Sequence, residues 1–360
     1  MKNETVPVRA FAWTCAALFA GSAFAQGAAP TIVDCHRIES SAERLACYDA
    51  ASGRAGAKSA APAATAATPA APAGSNVTTD AMSQAVAKEA AANVAPSMID
   101  ASWDFDPASP RYDIRFYREN YLLIGRYTDK VNSAPYEPLF AAAGEPVHLD
   151  STEAKFQISF KSRLWTTDDR RWGAWVGYTQ QNQWQVYNDD ISRPFRETNY
   201  MPEVFISYRP GIELPGGFQW RLVNAGYNHQ SNGRTDTVSR SWDRLFAEFG
   251  VEKENLALFA KVWYRLPESD DKDDNPDITD YYGHGELSAL YRWRGNSFSA
   301  LLRGNLNTGK GAVQLGWMSP PLLGAFRGYV QFFSGYGESM IDYNWKQTTI
   351  GAGIALSDGL

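Results

Sequence analysis

The sequence predicts an all-β fold: a transmembrane antiparallel β-barrel of about 12 strands, preceded by a short cysteine-bounded segment and a disordered Ala/Pro-rich linker. Three observations carry this expectation. Beyond residue 100 the chain alternates apolar and polar residues with period two, the signature of strands with one greasy face. After the N-terminus no stretch reaches the ~18 consecutive apolar residues of a helical span, so any membrane crossing must be made of strands. Aromatic residues are abundant, with 12 Trp and 18 Tyr beside 29 Gly, as in barrels that carry aromatic girdles at both membrane interfaces. A soluble β-sandwich explains the alternation equally well, but not the combination of export, aromatic richness and an apolar outer face.

The chain opens with Lys2 and Arg9, an apolar run from Phe11 to Phe19, and Ala23-Phe24-Ala25 before Gln26, the three-part pattern of a cleaved secretory signal over residues 1–25. Cys15 leaves with that signal. Cys35 and Cys47 remain as a pair in an exported segment, 26–50, and read as a disulfide rather than a metal site. Closing so short a loop would contribute about 3 kcal/mol. From 51 to 100 the composition collapses to Ala, Pro, Thr, Ser and Gly, which cannot bury enough apolar surface to offset chain entropy and predicts a flexible tether, with a short helix near Asp80–Asn93. A formal net charge of -6 with 34 basic residues leaves no basic footprint for nucleic acid.

The barrel is expected over 101–360. Phe156, Ile158 and Phe160 interleave with Gln157, Ser159 and Lys161; Trp172, Ala174, Val176 and Tyr178 interleave with Gly173, Trp175, Gly177 and Thr179. Leu287 to Trp293 and Ile350 to Leu356 repeat the pattern, and polar linkers such as 268–280 separate such runs at hairpin spacing.

One strand carries chemistry on its apolar row. His229 and Ser231 stand two apart, so both leave the same face, and Val223, Ala225 and Tyr227 lead up to them with the same parity, as does Arg221 at the strand start. In the next strand Asp243 shares its parity with Leu245, Ala247 and Phe249. His-x-Ser alone is weak evidence, because such pairs arise by chance. Three polar groups on a lipid-facing wall, however, are costly unless they pair or function. A nucleophile, a base and an acid in that position describe a Ser/His/acid triad directed at lipid esters. The connecting segment from Asn232 to Ser239 has an Asn-Gly turn signal and several oxygen donors. Gly233 lets its backbone N–H approach a developing oxyanion, and the oxygens suit a hard cation such as Ca2+. The acidic run Asp270–Asp277 reads by itself as a solvated loop.

The block from Tyr227 through His229, Ser231, Asn232, Gly233, Arg234, Asp236 and Ser239 to Trp242 resembles the active-site hairpin of outer-membrane phospholipase A. Three further blocks fit in order: Pro194–Tyr200, Asp273–Thr279, and Ser334–Glu338 running on to Asn344. The resemblance covers about Tyr112 to the C-terminus. It implies a twelve-stranded barrel that hydrolyses sn-1 and sn-2 acyl esters of phospholipids, needs Ca2+ and works as a homodimer in the outer membrane. Position by position it makes His229 the base, Ser231 the nucleophile and Gly233 an oxyanion donor. It assigns Ca2+ to Arg234 through its carbonyl, Ser239, and Ser192 of the partner subunit. Asp236 and Asp274 match a second, weaker Ca2+ position, and Gln180 a lipid-facing glutamine that pairs across the dimer. Gln180 also follows Trp172 to Tyr178 on the apolar row, where an amide needs a partner. The third triad position is Asn in the family pattern and Asp243 here; a carboxylate orients histidine at least as well but is harder to keep charged beside lipid. The cysteine-bounded segment and tether have no counterpart in that pattern. Two competing classes remain from sequence: a passive porin and an inactive barrel that anchors the N-terminal segment.

Overall fold

The computed structural model describes residues 97–360, except 145, 193 and 270, together with Cys35 and Cys47. The signal at 1–25, the helix expected near 80–93 and nearly all of the 51–100 tether lie outside the described residues. Cys35 and Cys47 are disulfide-bonded, as their pairing predicts. The chain divides into two compact units, Met1–Val77 and Thr78–Leu360. Within the second, the last residues assigned to the tether are already helical: α1 spans Met98–Trp103 and is capped by Ser97, whose hydroxyl accepts from Asp100 N at 2.9 Å. A serine cap is the local signal that the Ala/Pro composition masked.

Fourteen strands follow. They are β1 (Ile114–Phe116), β2 (Glu119–Thr128), β3 (Thr152–Thr166), β4 (Trp172–Trp184), β5 (Phe195–Tyr208), β6 (Ile212–Leu214), β7 (Phe218–Ser231), β8 (Ser241–Lys253), β9 (Leu256–Arg265), β10 (Gly285–Trp293), β11 (Asn296–Asn305), β12 (Lys310–Leu323), β13 (Phe326–Tyr336) and β14 (Lys346–Asp358). Two are short: β1 pairs alongside β3, and β6 pairs with β7. The other twelve pair antiparallel with their neighbours in chain order, and β14 pairs with β2. The sheet is therefore a closed twelve-stranded barrel with no free edge. No described helix is long and apolar enough to cross a membrane.

Rows alternate as the sequence predicts. Ile158, Phe160, Val176, Leu245, Leu287 and Ile350 are exposed on the outer wall, whereas Ser159, Lys161, Trp175 and Glu203 are buried inside. Short turns close one end at 167–171, 209–217, 254–255, 294–295 and 324–325; Arg294 and Gly295, both at positive φ, form one of them. The longer connections gather at the other end, which by the usual asymmetry of such barrels faces outward from the cell. Two of them hold helices, α2 (Glu137–Ala143) and α3 (Ile278–Tyr282). The second lies in the 268–280 linker that sequence composition read as purely polar spacing.

The lumen is filled by paired charges. Arg126 donates to Glu153 at 2.9 Å and to Glu338; Lys155 reaches Glu338 at 3.0 Å; Arg196 bonds Glu153 at 2.9 Å and Asp342 at 3.2 Å. Deeper in, Glu203 accepts from Arg118 at 3.2 Å and Lys261 at 3.1 Å. At the short-turn end, α1 is held by Asp100 to Arg209 and Arg221, and by Glu252, which accepts from Ile99 N. Trp103 of this helix meets Tyr117, Trp175 and Phe205 edge-on, with the Lys161 ammonium 3.3 Å from its ring centre. Such an interior differs from the open, water-filled lumen of a passive porin.

Breaking one of these ion pairs strands its partner, so Arg196→Ala should cost about 3–5 kcal/mol, read as a lower urea midpoint in detergent. Glu338 sits on the β13–β14 loop, outside the crossing strands. Burial pushes its carboxyl up, but Arg126 and Lys155 outweigh burial and hold it at about 2, below the ordinary 4.5. Its contribution is thus fully present above pH 4.5 and is lost as pH falls toward 2. The stability gap between wild type and Glu338→Gln should close across that window; a gap independent of pH contradicts the assignment.

Candidate active site

Strands β7 and β8 place the reactive residues on the wall. Their register pairs His229 with Asp243 and Ser231 with Ser241 directly across the hairpin, and Ala225 with Ala247 and Val223 with Phe249 below them. Buried Leu222, Asn224, Asn228 and Gln230 form the inner row, so His229, Ser231 and Asp243 leave the outer face. One expectation fails. Arg221 does not share that face, because the register shifts between Trp220 and Leu222. The bulge turns its guanidinium inward to Asp100 and Glu252, where a cation finds partners that lipid could not provide.

His229 Nδ1 donates to Asp243 Oδ1 at 2.8 Å, with the two side chains 37% and 31% exposed. A carboxylate can only accept, so the proton sits on Nδ1 and Nε2 is left as the basic nitrogen. Ser231 lies two residues along, on the same face. Among the described residues no hydrogen bond joins it to His229; in free enzymes such contacts commonly close only with substrate bound. The Tyr227 hydroxyl also donates to Asp243 Oδ1, at 2.5 Å.

The β7–β8 loop, 232–240, is organised by Asn232. Its buried side chain accepts from Arg234 N at 3.3 Å and Arg240 N at 3.0 Å, and donates to Val238 O at 2.7 Å. The Asn-Gly pair is therefore a clamp on a nine-residue loop rather than a two-residue hairpin turn. Gly233 has φ +64, and a Cβ there would lie 3.0 Å from the Tyr200 ring, so both conformation and space require glycine. Tyr200 itself stands opposite Ser231 on β5.

The oxygen donors predicted for a cation sit on three loops at this end. Ser239 Oγ donates to Asp274 Oδ2 at 2.5 Å, bringing two of them together. The guanidinium of Arg234 is occupied by the carbonyls of Phe195 and Arg196, which leaves its own carbonyl as the group able to face a metal. Ser192 is exposed in the β4–β5 connection, three residues before β5, whose first residues Phe195 and Arg196 accept from the Arg234 guanidinium. Asp236 opens a short 3-10 turn, Asp236–Val238; its side chain lies outside the described residues. Among the described residues no group of three or more His, Cys, Asp or Glu is placed to hold a metal. Hydroxyl, carbonyl and single carboxylate oxygens remain, a weak hard-ion set that fits Ca2+ and no softer metal. The acidic run is more than solvated loop: Asp273 bonds Arg265 at 2.6 Å, and Asn275 Oδ1 accepts from Ser241 N at 3.0 Å, docking it on the start of β8.

Gln180 lies on the outer row of β4, within a polar chain. Tyr178 donates to its carbonyl at 2.8 Å, its amide donates to Asn182 Oδ1 at 3.0 Å, and Thr198 donates to the same oxygen at 3.0 Å. Its amide is thus satisfied within one chain, on a wall otherwise made of apolar residues.

A family model described as Phospholipase A1 matches residues 101–356. The chain belongs to the phospholipase A1 family. A Neisseria meningitidis serogroup B relative bearing a provisional phospholipase A1 name is 35% identical over 352 residues, 91% of each chain. That share exceeds what 101–360 can supply, so part of the N-terminal extension has a counterpart after all. The phospholipase A1 of Escherichia coli K12 is 39% identical over 245 residues, covering 67% of this chain and 81% of that one. Among solved structures, outer membrane phospholipase A from E. coli superimposes with a TM-score of 0.63 at 38% identity, over 68% of this chain and 98% of that one. The Salmonella typhi outer membrane phospholipase, a dimer with bound calcium, gives 0.65 at 36% identity, over 73% and 98%. A phospholipase A1 family member with this closed barrel is an outer-membrane protein.

Sequence reasoning had not assigned roles to Tyr227, Asn232 or Tyr200 at this family site. Tyr227 was visible only as part of the apolar row, and its hydroxyl reaches Asp243 by a cross-strand diagonal that parity alone does not weigh. Removing the Asn232 clamp should leave the barrel folded while lowering ester hydrolysis by about 10²-fold, the scale of a 1 Å misplacement. Heat-modifiable migration on gels together with fatty-acid release checks Asn232→Ala; undiminished turnover contradicts the clamp.

Proposed function

We propose that this chain is a Ca2+-dependent outer-membrane phospholipase, active as a homodimer, that hydrolyses sn-1 and sn-2 acyl esters of phospholipids. The observation that carries the reading is the His229–Asp243 hydrogen bond on the lipid-facing wall, with Ser231 two residues along the same face. Ser231 Oγ attacks the ester carbonyl carbon while His229 Nε2 takes its proton. The C–O bond to the lysophospholipid breaks, and its oxygen receives that proton from His229. Water then repeats the sequence, its proton passing to His229 and on to Ser231 as the fatty acid leaves. Asp243 keeps the imidazole in the required tautomer, and the Gly233 N–H serves the oxyanion.

The Arg234 carbonyl, Ser239 and Ser192 of the partner subunit would hold Ca2+, with Asp236 and Asp274 as a second position; the ion supplies positive charge beside the developing oxyanion. Gln180 would exchange its intrachain partners for the partner subunit's copy. On this reading residues 1–25 are a cleaved export signal, the 26–50 segment with its disulfide and the 51–100 linker lie in the periplasm, and 101–360 is the enzyme.

Fatty-acid release from phosphatidylethanolamine is expected from the wild type with Ca2+. It should vanish with chelator and in Ser231→Ala, whose barrel remains folded. Equal release by Ser231→Ala and wild type contradicts the triad and favours an inert anchor.

A further inference from the structure

Asp243 poses an electrostatic problem that the triad itself does not solve. It stands on the outer wall between Leu245 and the loop end, where a carboxylate beside lipid needs hydrogen-bond donors. The nearby cations turn elsewhere: Arg244 points inward to Asn228 and Gln230, Arg240 donates to the carbonyls of Thr237 and Ser239, and Arg265, across from Arg244, is taken by Asp273 and Glu268. From the β9 side Asp243 is met by Tyr264, opposite Leu245, and by the backbone of Leu266, which bonds the Asp243 carbonyl rather than its side chain. Glu268 adds like-charge repulsion. Among the described residues only two groups donate to the carboxylate, His229 Nδ1 at 2.8 Å and the Tyr227 hydroxyl at 2.5 Å, both to Oδ1.

We propose that Tyr227 is a positioning residue of this site, holding the Asp243 carboxylate in place so that His229 keeps its basic nitrogen toward Ser231. The inference rests on the triad proposed above and adds a fourth member to it. A hydroxyl donating to a carboxylate at this distance is a charge-assisted bond, about twice as strong as a neutral one. Its geometry follows from the register: Tyr227 pairs with Leu245, and Asp243 is the next outer residue along β8, within the diagonal reach of a tyrosine. The ring contributes apolar surface toward lipid while its polar tip serves the acid.

The test uses the full-length protein folded in detergent with Ca2+, assayed for fatty-acid release. Tyr227→Phe keeps the ring and should migrate as a folded barrel. Its kcat should fall about 10- to 100-fold, the effect of removing one hydrogen bond to a charged group, with KM little changed. In Asp243→Asn, where no charge needs holding, adding Tyr227→Phe should cost clearly less than it does in the wild type. An equal loss in both backgrounds overturns the assignment as a mere packing effect. Wild-type kcat in Tyr227→Phe alongside a dead Ser231→Ala overturns Tyr227 alone, whereas an active Ser231→Ala overturns the triad and Tyr227 with it.

Discussion

Every strand of this barrel divides its side chains between hydrocarbon and a lumen, and the buried ion pairs of the lumen fix which row is which. Arg126, Lys155 and Arg196 are each held by Glu153, Glu338 or Asp342. A slip of one residue in any strand would drag such a charge into lipid and push an outer leucine or phenylalanine inward. The register is therefore over-determined by electrostatics, and it is the register that sets His229 opposite Asp243.

The same constraint explains why the outer wall repays scrutiny. A polar group that faces lipid without a partner costs free energy, and two groups of outward polar residues here are bonded among themselves. His229, Asp243 and Tyr227 satisfy one another at one site, and Tyr178, Gln180, Asn182 and Thr198 form a chain on the neighbouring pair β4 and β5. The two clusters lie on the same side of the barrel, separated by β5 and its Tyr200. That arrangement gives one polar patch able to meet a second copy and another able to meet an ester.

Much of this was legible from residue order. Period-two alternation gave the strands and their outer rows, and two-residue spacing put His229 and Ser231 on one face with Asp243 across the turn. Parity stopped being informative where the backbone departs from regular pleating. The bulge at Trp220/Leu222 reversed Arg221, and no pattern of hydrophobicity records an extra residue in one strand. The loops were harder still, because their geometry comes from single side chains such as Asn232 and Asn275 whose partners are distant or buried. Ser97 and Asp100 hid a docked helix inside a composition that reads as tether, since a cap is one residue and a linker signature is an average. The resemblance to outer-membrane phospholipase A supplied the cation ligands, which spacing alone would have left as ordinary loop oxygens.

The central claim is that the nucleophile works from the lipid-facing wall. It is tested most directly by covalent trapping with a long-chain alkyl sulfonyl fluoride presented in detergent micelles with Ca2+, followed by peptide mapping. The account predicts a single sulfonylated residue, Ser231, whose modification abolishes turnover and is prevented by His229→Ala. Modification at a lumenal residue, or labelling of Ser231 at the same rate without His229, would contradict it.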